Sequence, residues 1–246
     1  MAFRKKAELV LQYEPDLMIV PECEHPAKLK FPASVKLPTD IVWYGDNPNK
    51  GLGVFSYGEY KLQLLHEHDP NLKTIIPMSV TGGAMDFTLF AIWANNPGDK
   101  GNPYVGQIWK AIHCYDDLIR TEKTMMAGDF NSNSIWDKPR RIGNHTTLVN
   151  KLDEKQIGSV YHRHFGHPHG EEEHATFNLY KNLNKPYHLD YCFVSNDLMQ
   201  KLKRVEIGQH KHWTQHSDHL PLIVDFDIPC AHKKKAFRIS PRNAIN

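Results

Sequence analysis

Met125-Met126-Ala127-Gly128-Asp129-Phe130-Asn131 is the stretch that decides how the rest of the chain is read. A short apolar run, Met125 to Ala127, has the length of a buried strand, and Asp129 stands where that strand gives way to loop. Side chains alternate along an extended backbone, so Asp129 and Asn131 can face the same way. A carboxylate there can take a proton or hold a cation, and the Asn131 amide can contact a phosphoryl oxygen or a metal without adding charge. An Asx turn at a strand end would use the same residues. These seven positions leave both readings open.

Working outward, the chain opens on a helical pattern over residues 2–13, with Phe3, Ala7, Val10 and Leu11 on one side and Pro15 ending it. Asp16 to Val20 then reads as a buried strand that delivers Pro21-Glu22-Cys23-Glu24. A glutamate at the mouth of such a strand is noteworthy, because Glu is rarely buried unless paired or coordinating. Further strands are expected at Ile41–Tyr44, Gly53–Ser56, Lys61–His66, Leu72–Val80 and Met85–Ala94, with turns at Gly51-Leu52-Gly53 and Thr81-Gly82-Gly83. Tyr104–Ile119 and Gly143–Leu152 are helical by periodicity, and Lys201–Ile207 and Leu220–Phe226 are late strands. Strands in succession, interrupted by helices, predict mixed sheets with helices packed outside.

Other strand ends carry polar residues. Asp190 interrupts the apolar and aromatic run Tyr187 to Ser195 and needs a partner, because an unpaired buried acid is costly. Asp218 and His219 adjoin each other just before the final strand, and Asn96 sits at the tip after Trp93. Glu22, Asn96, Asp129, Asp190, Asp218 and His219 are therefore expected to converge on one rim.

Composition bounds the functional classes. The chain has 246 residues, 40% hydrophobic and 24% charged, which suits an ordinary globular domain with a generous core. The charged N-terminus lacks the apolar stretch of a signal peptide, and no apolar run reaches the roughly 18 residues of a membrane span. Four cysteines at 23, 114, 192 and 230 form no CxxC pair, which predicts reduced thiols and a cytoplasmic protein. The formal charge of +2 is uneven: residues 230–246 carry +5, so residues 1–229 carry −3. The expected organisation is one domain over 1–229 and a basic, disordered tail over 230–246. The body is not a basic nucleic-acid binder on net charge, though a local positive face is compatible with it. No obligate protein partner is evident from the sequence.

Glu22 after an apolar strand, Gly-Asp-Phe-Asn at 128–131, Leu-Asp-Tyr at 189–191 and Ser-Asp-His at 217–219 resemble, in order and spacing, the motifs of the endonuclease/exonuclease/phosphatase superfamily. That superfamily includes DNase I-like nucleases, abasic-site endonucleases, sphingomyelinases and inositol-polyphosphate phosphatases. The resemblance runs from residue 1 to about 228. It implies an α/β (α+β) four-layer sandwich, two facing mixed sheets with helices outside, and hydrolysis of a phosphoester with Mg²⁺ or Mn²⁺. It also implies roles: Glu22, Asp129, Asn131 and Asp218 at the metal, and Asp129 activating water. His219 would contact the scissile phosphate with Asp190 orienting it, while Asn131 and the looser match Asn96 would contact substrate. The expected substrate is a phosphodiester, with nucleic acid as a candidate. The alternatives are a small or lipid-derived phosphoester, or a catalytically silent member that only binds.

Two departures accompany the resemblance. The superfamily's first strand precedes its first helix and supplies an Asn to the metal site, whereas this chain opens on the helix. Its absence predicts an exposed strand edge beside residues 16–21, and a natural start upstream of Met1. Trp93 also stands where many members carry Tyr or His. Finally, His162, His164, His167, His169 and His174 crowd around Glu171-Glu172-Glu173, a combination that suits Zn²⁺. Gly166, Pro168 and Gly170 instead predict a mobile, substrate-facing loop without fixed ligand geometry.

Overall fold

A computed structural model of the chain describes residues 3–96, 98 and 102–228, so the tail reading over 230–246 lies outside the described residues. The central element is a six-stranded mixed sheet of order β4-β5-β6-β7-β11-β8. Its strands are β4 (Lys61–Leu64), β5 (Ile75–Thr81), β6 (Phe87–Trp93), β7 (Thr124–Asp129), β8 (Ile157–Ser159) and β11 (Asp190–Ser195). Only the β6–β7 pair is parallel, which is where the chain crosses over through helix α2 (Val105–Cys114).

Both faces of this sheet are covered, and the strands are accordingly apolar nearly throughout. Phe90, Ile92, Met126, Tyr191 and Phe193 point to one face and pack against Ile108, Ala111 and Ile112 of α2 and Leu148 and Leu152 of α3 (His145–Glu154). The intervening residues point the other way. Met78, Leu89, Ala91 and Trp93 meet Leu52 and Val54 of β3 (Lys50–Ser56), which is flanked by β1 (Leu17–Cys23) and β2 (Asp40–Asn47). Farther along the same face, Ala127, Cys192 and Val194 meet Val205 of β12 (Leu202–Ile207) and Leu222 and Val224 of β13 (Leu222–Phe226). Phe3, Ala7 and Val10, around helix α1 (Ala7–Leu11), cover the outside of the three-stranded sheet through Phe55 and Met18. The layer order is helix, sheet, sheet, helix. The layer opposite the mixed sheet is itself all antiparallel and consists of two pieces, β1-β3-β2 and β12-β13.

Among the described residues β1 lies at the edge of its sheet, and β13 pairs with β12 alone. Residues of both strands wall a groove of about 1280 Å³ that reaches the rim of the mixed sheet.

Several local expectations need correction. The long first helix is a 3₁₀ turn at Phe3–Lys5 followed by α1, and the strand over Leu72–Val80 begins only at Ile75 after a 3₁₀ turn at Pro70–Leu72. Gly51-Leu52-Gly53 is no turn; it lies inside β3. A Cβ on Gly51 would come within 2.3 Å of the Trp43 ring, so glycine there makes room for an indole on the neighbouring strand. The 162–174 region is not loop throughout. It begins as helix α4 (Val160–Phe165), capped by Gly166 at φ 78°, and its side chains interlock. Short strands β9 (Phe177–Asn178) and β10 (Pro186–Tyr187) lead from there to β11, and short helices α5 (Asn196–Met199) and α6 (His210–Trp213) flank β12.

Candidate active site

Asp129 ends β7 between two partners in register: Asp190 on β11 and Trp93 on β6. The approach of β6 and β7 depends on Gly128, whose φ is 136° and whose hypothetical Cβ would sit 2.0 Å from the Ile92 carbonyl oxygen. No side chain fits there, so glycine immediately before the acid is a packing requirement.

Asn131 then fixes the carboxylate. Its backbone N–H donates to Asp129 Oδ1 at 2.8 Å and its Nδ2 donates to Oδ2 at 2.9 Å. The other Nδ2 proton goes to the Ala94 carbonyl at 2.9 Å. The Asx turn thus also sets the orientation of the Asp129 carboxylate. Both amide protons are spent, so Asn131 offers the groove only Oδ1, an acceptor suited to a cation or a water and not to a phosphoryl oxygen. Asn131 achieves this at φ 46°, in left-handed backbone.

His219 stands beside the two acids. Its Nδ1–H donates to Asp190 Oδ2 at 2.9 Å, which settles the partner that Asp190 requires and leaves Nε2 for the groove. One nitrogen of His219 and one oxygen each of Asp129 and Asp190 lie within 4.8 Å of one another, close enough to share an ion. Burial raises the Asp129 carboxyl well above its usual range, and Asp190 raises it further, against the pull of His219. Burial alone would lower His219, but Asp190, with Asp129 and Asp218 behind it, outweighs burial and raises it to about 9. The cluster therefore holds a basic carboxylate next to an imidazole that favours its cationic form.

Glu22, Asn96, Asp129, Asn131, Asp190, Asp218 and His219 all line the same groove. Glu22 extends from a bulge in β1 at φ 56° and pairs with Lys50 Nζ at 2.8 Å. Asn96 is exposed and its Oδ1 accepts from Gly98 N–H, so it caps a local turn at the rim. Trp93 is 7% exposed; its ring lies 5.3 Å below Lys50 Nζ and floors the site where a Tyr or His would be polar.

Three contributors escape sequence reasoning. Lys6 reaches Ser217 Oγ at 3.3 Å and faces Asp218, Glu22 and Glu24 from the N-terminal segment. Lys50 neutralises Glu22. Thr176, fully buried, accepts the Leu189 and Asp190 N–H groups on Oγ1 at 2.9 and 3.0 Å, while its carbonyl accepts Leu220 N–H at 2.7 Å. It ties the strand of Asp190 to the segment of His219. Only its position ahead of the Asp190 strand hinted at a role.

No protein-family profile matches the sequence, and no curated protein matches it significantly. Solved structures do match the fold. An AP endonuclease from Archaeoglobus fulgidus superposes with a TM-score of 0.64 at 16% identity, over 90% of this chain and 93% of that one. A 3′–5′ exonuclease from Neisseria meningitidis gives 0.63 at 18%, over 91% and 94%. The endonuclease domain of TRAS1, a telomere-specific non-LTR retrotransposon, gives 0.61 at 13%, over 92% of each chain. The chain has the DNase I-like sandwich fold of endonuclease/exonuclease/phosphatase proteins along nine-tenths of its length. That is the architecture its motifs resemble.

Proposed function

We propose that the chain is a phosphoester hydrolase, that it depends on Mg²⁺ or Mn²⁺, and that its substrate is a phosphodiester of nucleic acid. The observation that carries this is the cluster itself: Asp129, locked by Asn131, faces the 2.9 Å Asp190–His219 pair across one ladder position. A phosphodiester resists attack because it is anionic, so hydrolysis needs charge neutralisation, a proton acceptor and a held donor. Asp129 takes the proton from water. His219, oriented by Asp190, presents Nε2 to a phosphoryl oxygen as a hydrogen-bond donor. Lys6 and Lys50 add positive charge at the groove, and Asp129, Asn131 Oδ1, Glu22 and Asp218 supply the hard oxygen donors that Mg²⁺ and Mn²⁺ favour. Bound there, the cation would offset negative charge that grows on the phosphoryl group during attack.

Nucleic acid is favoured over a small phosphoester by the groove's aromatic rim. Tyr104 and Tyr180 line it while 44% and 84% exposed, and such rings stack on unpaired bases. The similar folds include proteins described as AP endonuclease and as 3′ phosphatase bound to a DNA hairpin product, which supports the same substrate class. Among the described residues no helix is long and apolar enough to cross a membrane.

A panel assay tests the proposal: single-stranded DNA, duplex DNA with and without an abasic site, RNA and a small chromogenic phosphodiester, each with Mg²⁺, Mn²⁺ or EDTA. Turnover of a nucleic acid that EDTA abolishes is the expected result. Binding of nucleic acid without turnover of any substrate would favour the silent-member alternative, and turnover confined to small phosphoesters would overturn the substrate class.

A further inference from the structure

We propose that His162, His169 and Glu172 form a second metal site, distinct from the phosphoesterase centre, that takes Zn²⁺. One nitrogen of each imidazole and one oxygen of Glu172 lie within 4.8 Å of one another. The His162 and His169 rings stack with centroids 3.5 Å apart, so their edges lie side by side. His162 Nε2 stands 3.1 Å from Glu172 Oε1. Ligands bonded to tetrahedral Zn²⁺ at about 2.0–2.2 Å are themselves about 3.3–3.5 Å apart. That pair is close to the spacing of two ligands of one ion, and His169, stacked on His162, would turn out of the stack to bring its own ring plane onto the ion as a third ligand.

The surroundings hold these ligands as outer partners hold ligands in metal sites. His162 Nδ1 is engaged by Ser159 Oγ at 2.7 Å, which leaves Nε2 for the ion. His169 Nδ1 shares a hydrogen bond with His145 Nε2 at 3.0 Å, and His145 Nδ1 another with Ser132 Oγ at 3.0 Å, which leaves His169 Nε2. Glu172 Oε2 accepts from Asn133 Nδ2 at 3.0 Å and from Gly170 N–H at 3.1 Å, which leaves Oε1. Each candidate ligand is thus oriented through its other polar atom.

His188 borders the cluster without joining it: its Nδ1 is paired with the His174 carbonyl at 2.8 Å, and its ring lies 6.3 Å from that of His162, centroid to centroid. Two imidazoles and one carboxylate suit Zn²⁺, whereas the oxygen-dominated donors around Asp129 suit Mg²⁺ or Mn²⁺. The ion would pin α4 to the segment that runs on to Thr176, and so act on the site's framework and not on the reaction.

The test uses the full chain without an affinity tag, stripped with chelator and titrated with Zn²⁺ against a chromophoric competitor. The expected result is one tight equivalent that persists in an Asp129→Asn/His219→Ala variant and weakens at least ~10²-fold in His169→Ala. Loss of the tight equivalent in the Asp129→Asn/His219→Ala variant would place it at the phosphoesterase centre and overturn the proposal, as would an unchanged affinity in His169→Ala. Should His169→Ala fail to fold, Co²⁺ loading of the wild-type chain decides. Intense visible absorption of a tetrahedral site is expected, and only the weak absorption of an octahedral oxygen site would overturn it.

Discussion

At the scale of single residues, position 128 carries more than its size suggests. A methyl group there would meet the Ile92 carbonyl at 2.0 Å in a backbone at φ 136°, so either the β6–β7 ladder or the Asp129 carboxylate must move. Gly128→Ala should cost at least ~2 kcal/mol of stability and most of the activity, read from urea denaturation and turnover on the same preparation. Wild-type stability in that variant would show that the β6–β7 ladder yields to a methyl group at little cost. The acids that sequence alone singled out share a local signature, a charged side chain at one end of an apolar run, as at Asp129 and Asp190. Lys6 and Thr176 have no such signature. Lys6 meets Ser217 from 211 positions away, and Thr176 acts through an uncharged hydroxyl on backbone groups 13 and 14 residues on. Contacts made by distant or uncharged partners leave no pattern in the neighbouring sequence.

At the scale of elements, the site is a junction of strand ends, and Thr176 is what joins two of them. Thr176→Val would leave the buried Leu189 N–H and the adjoining Asp190 N–H without their acceptor. The expected cost is about 1–3 kcal/mol for an unsatisfied buried donor, together with a fall in turnover larger than Asn178→Ala, a nearby control, produces at equal stability. Equal falls in both variants would mean that Thr176 stabilises without positioning. Most strands were legible because a buried strand is a short apolar run bounded by Gly, Pro or Asn. The errors came from residues that serve two purposes. Gly51 and Gly53 punctuate a sequence as turn residues do, but here they admit the Trp43 and Phe55 rings inside β3. Gly166, Pro168 and Gly170 suggest mobility, yet Glu172, His162 and His169 fix the segment through side chains that backbone propensity does not register.

At the scale of the whole molecule, buried ionisable groups couple the fold to pH. Burial holds His145 at about 4 and His169 at about 3, both below the ordinary 6.5 they regain on unfolding. Between those values the unfolded chain binds more protons than the folded one, so stability declines as pH falls below about 6.5 and goes on declining to about 3. Glu172, held at about 2 against an ordinary 4.5, stabilises above 4.5 and loses that contribution only between 4.5 and 2. The raised Asp129 carboxyl works the other way, since the folded chain takes up its proton first as pH falls. The histidine contribution is therefore read as a difference: between pH 7 and pH 5, chelator-treated wild type should lose more melting temperature than His145→Gln does. Equal losses in the two would contradict the assignment of His145 as buried and neutral.

The four-layer order and the convergence of strand ends were legible in the motifs because their order along the chain matches a known architecture. The division of one sheet layer into β1-β3-β2 and β12-β13 was not, since it depends on which edges find partners in space. The claim that unites these scales is that Asp129 accepts the proton of an attacking water. Single-turnover cleavage of a nucleic-acid substrate by wild type and Asp129→Asn, with Mg²⁺ or Mn²⁺ and with melting temperatures measured alongside, tests it most directly. The predicted result is a rate at least ~10²-fold lower in the variant with the fold intact. A near-normal rate at an unchanged melting temperature would contradict it.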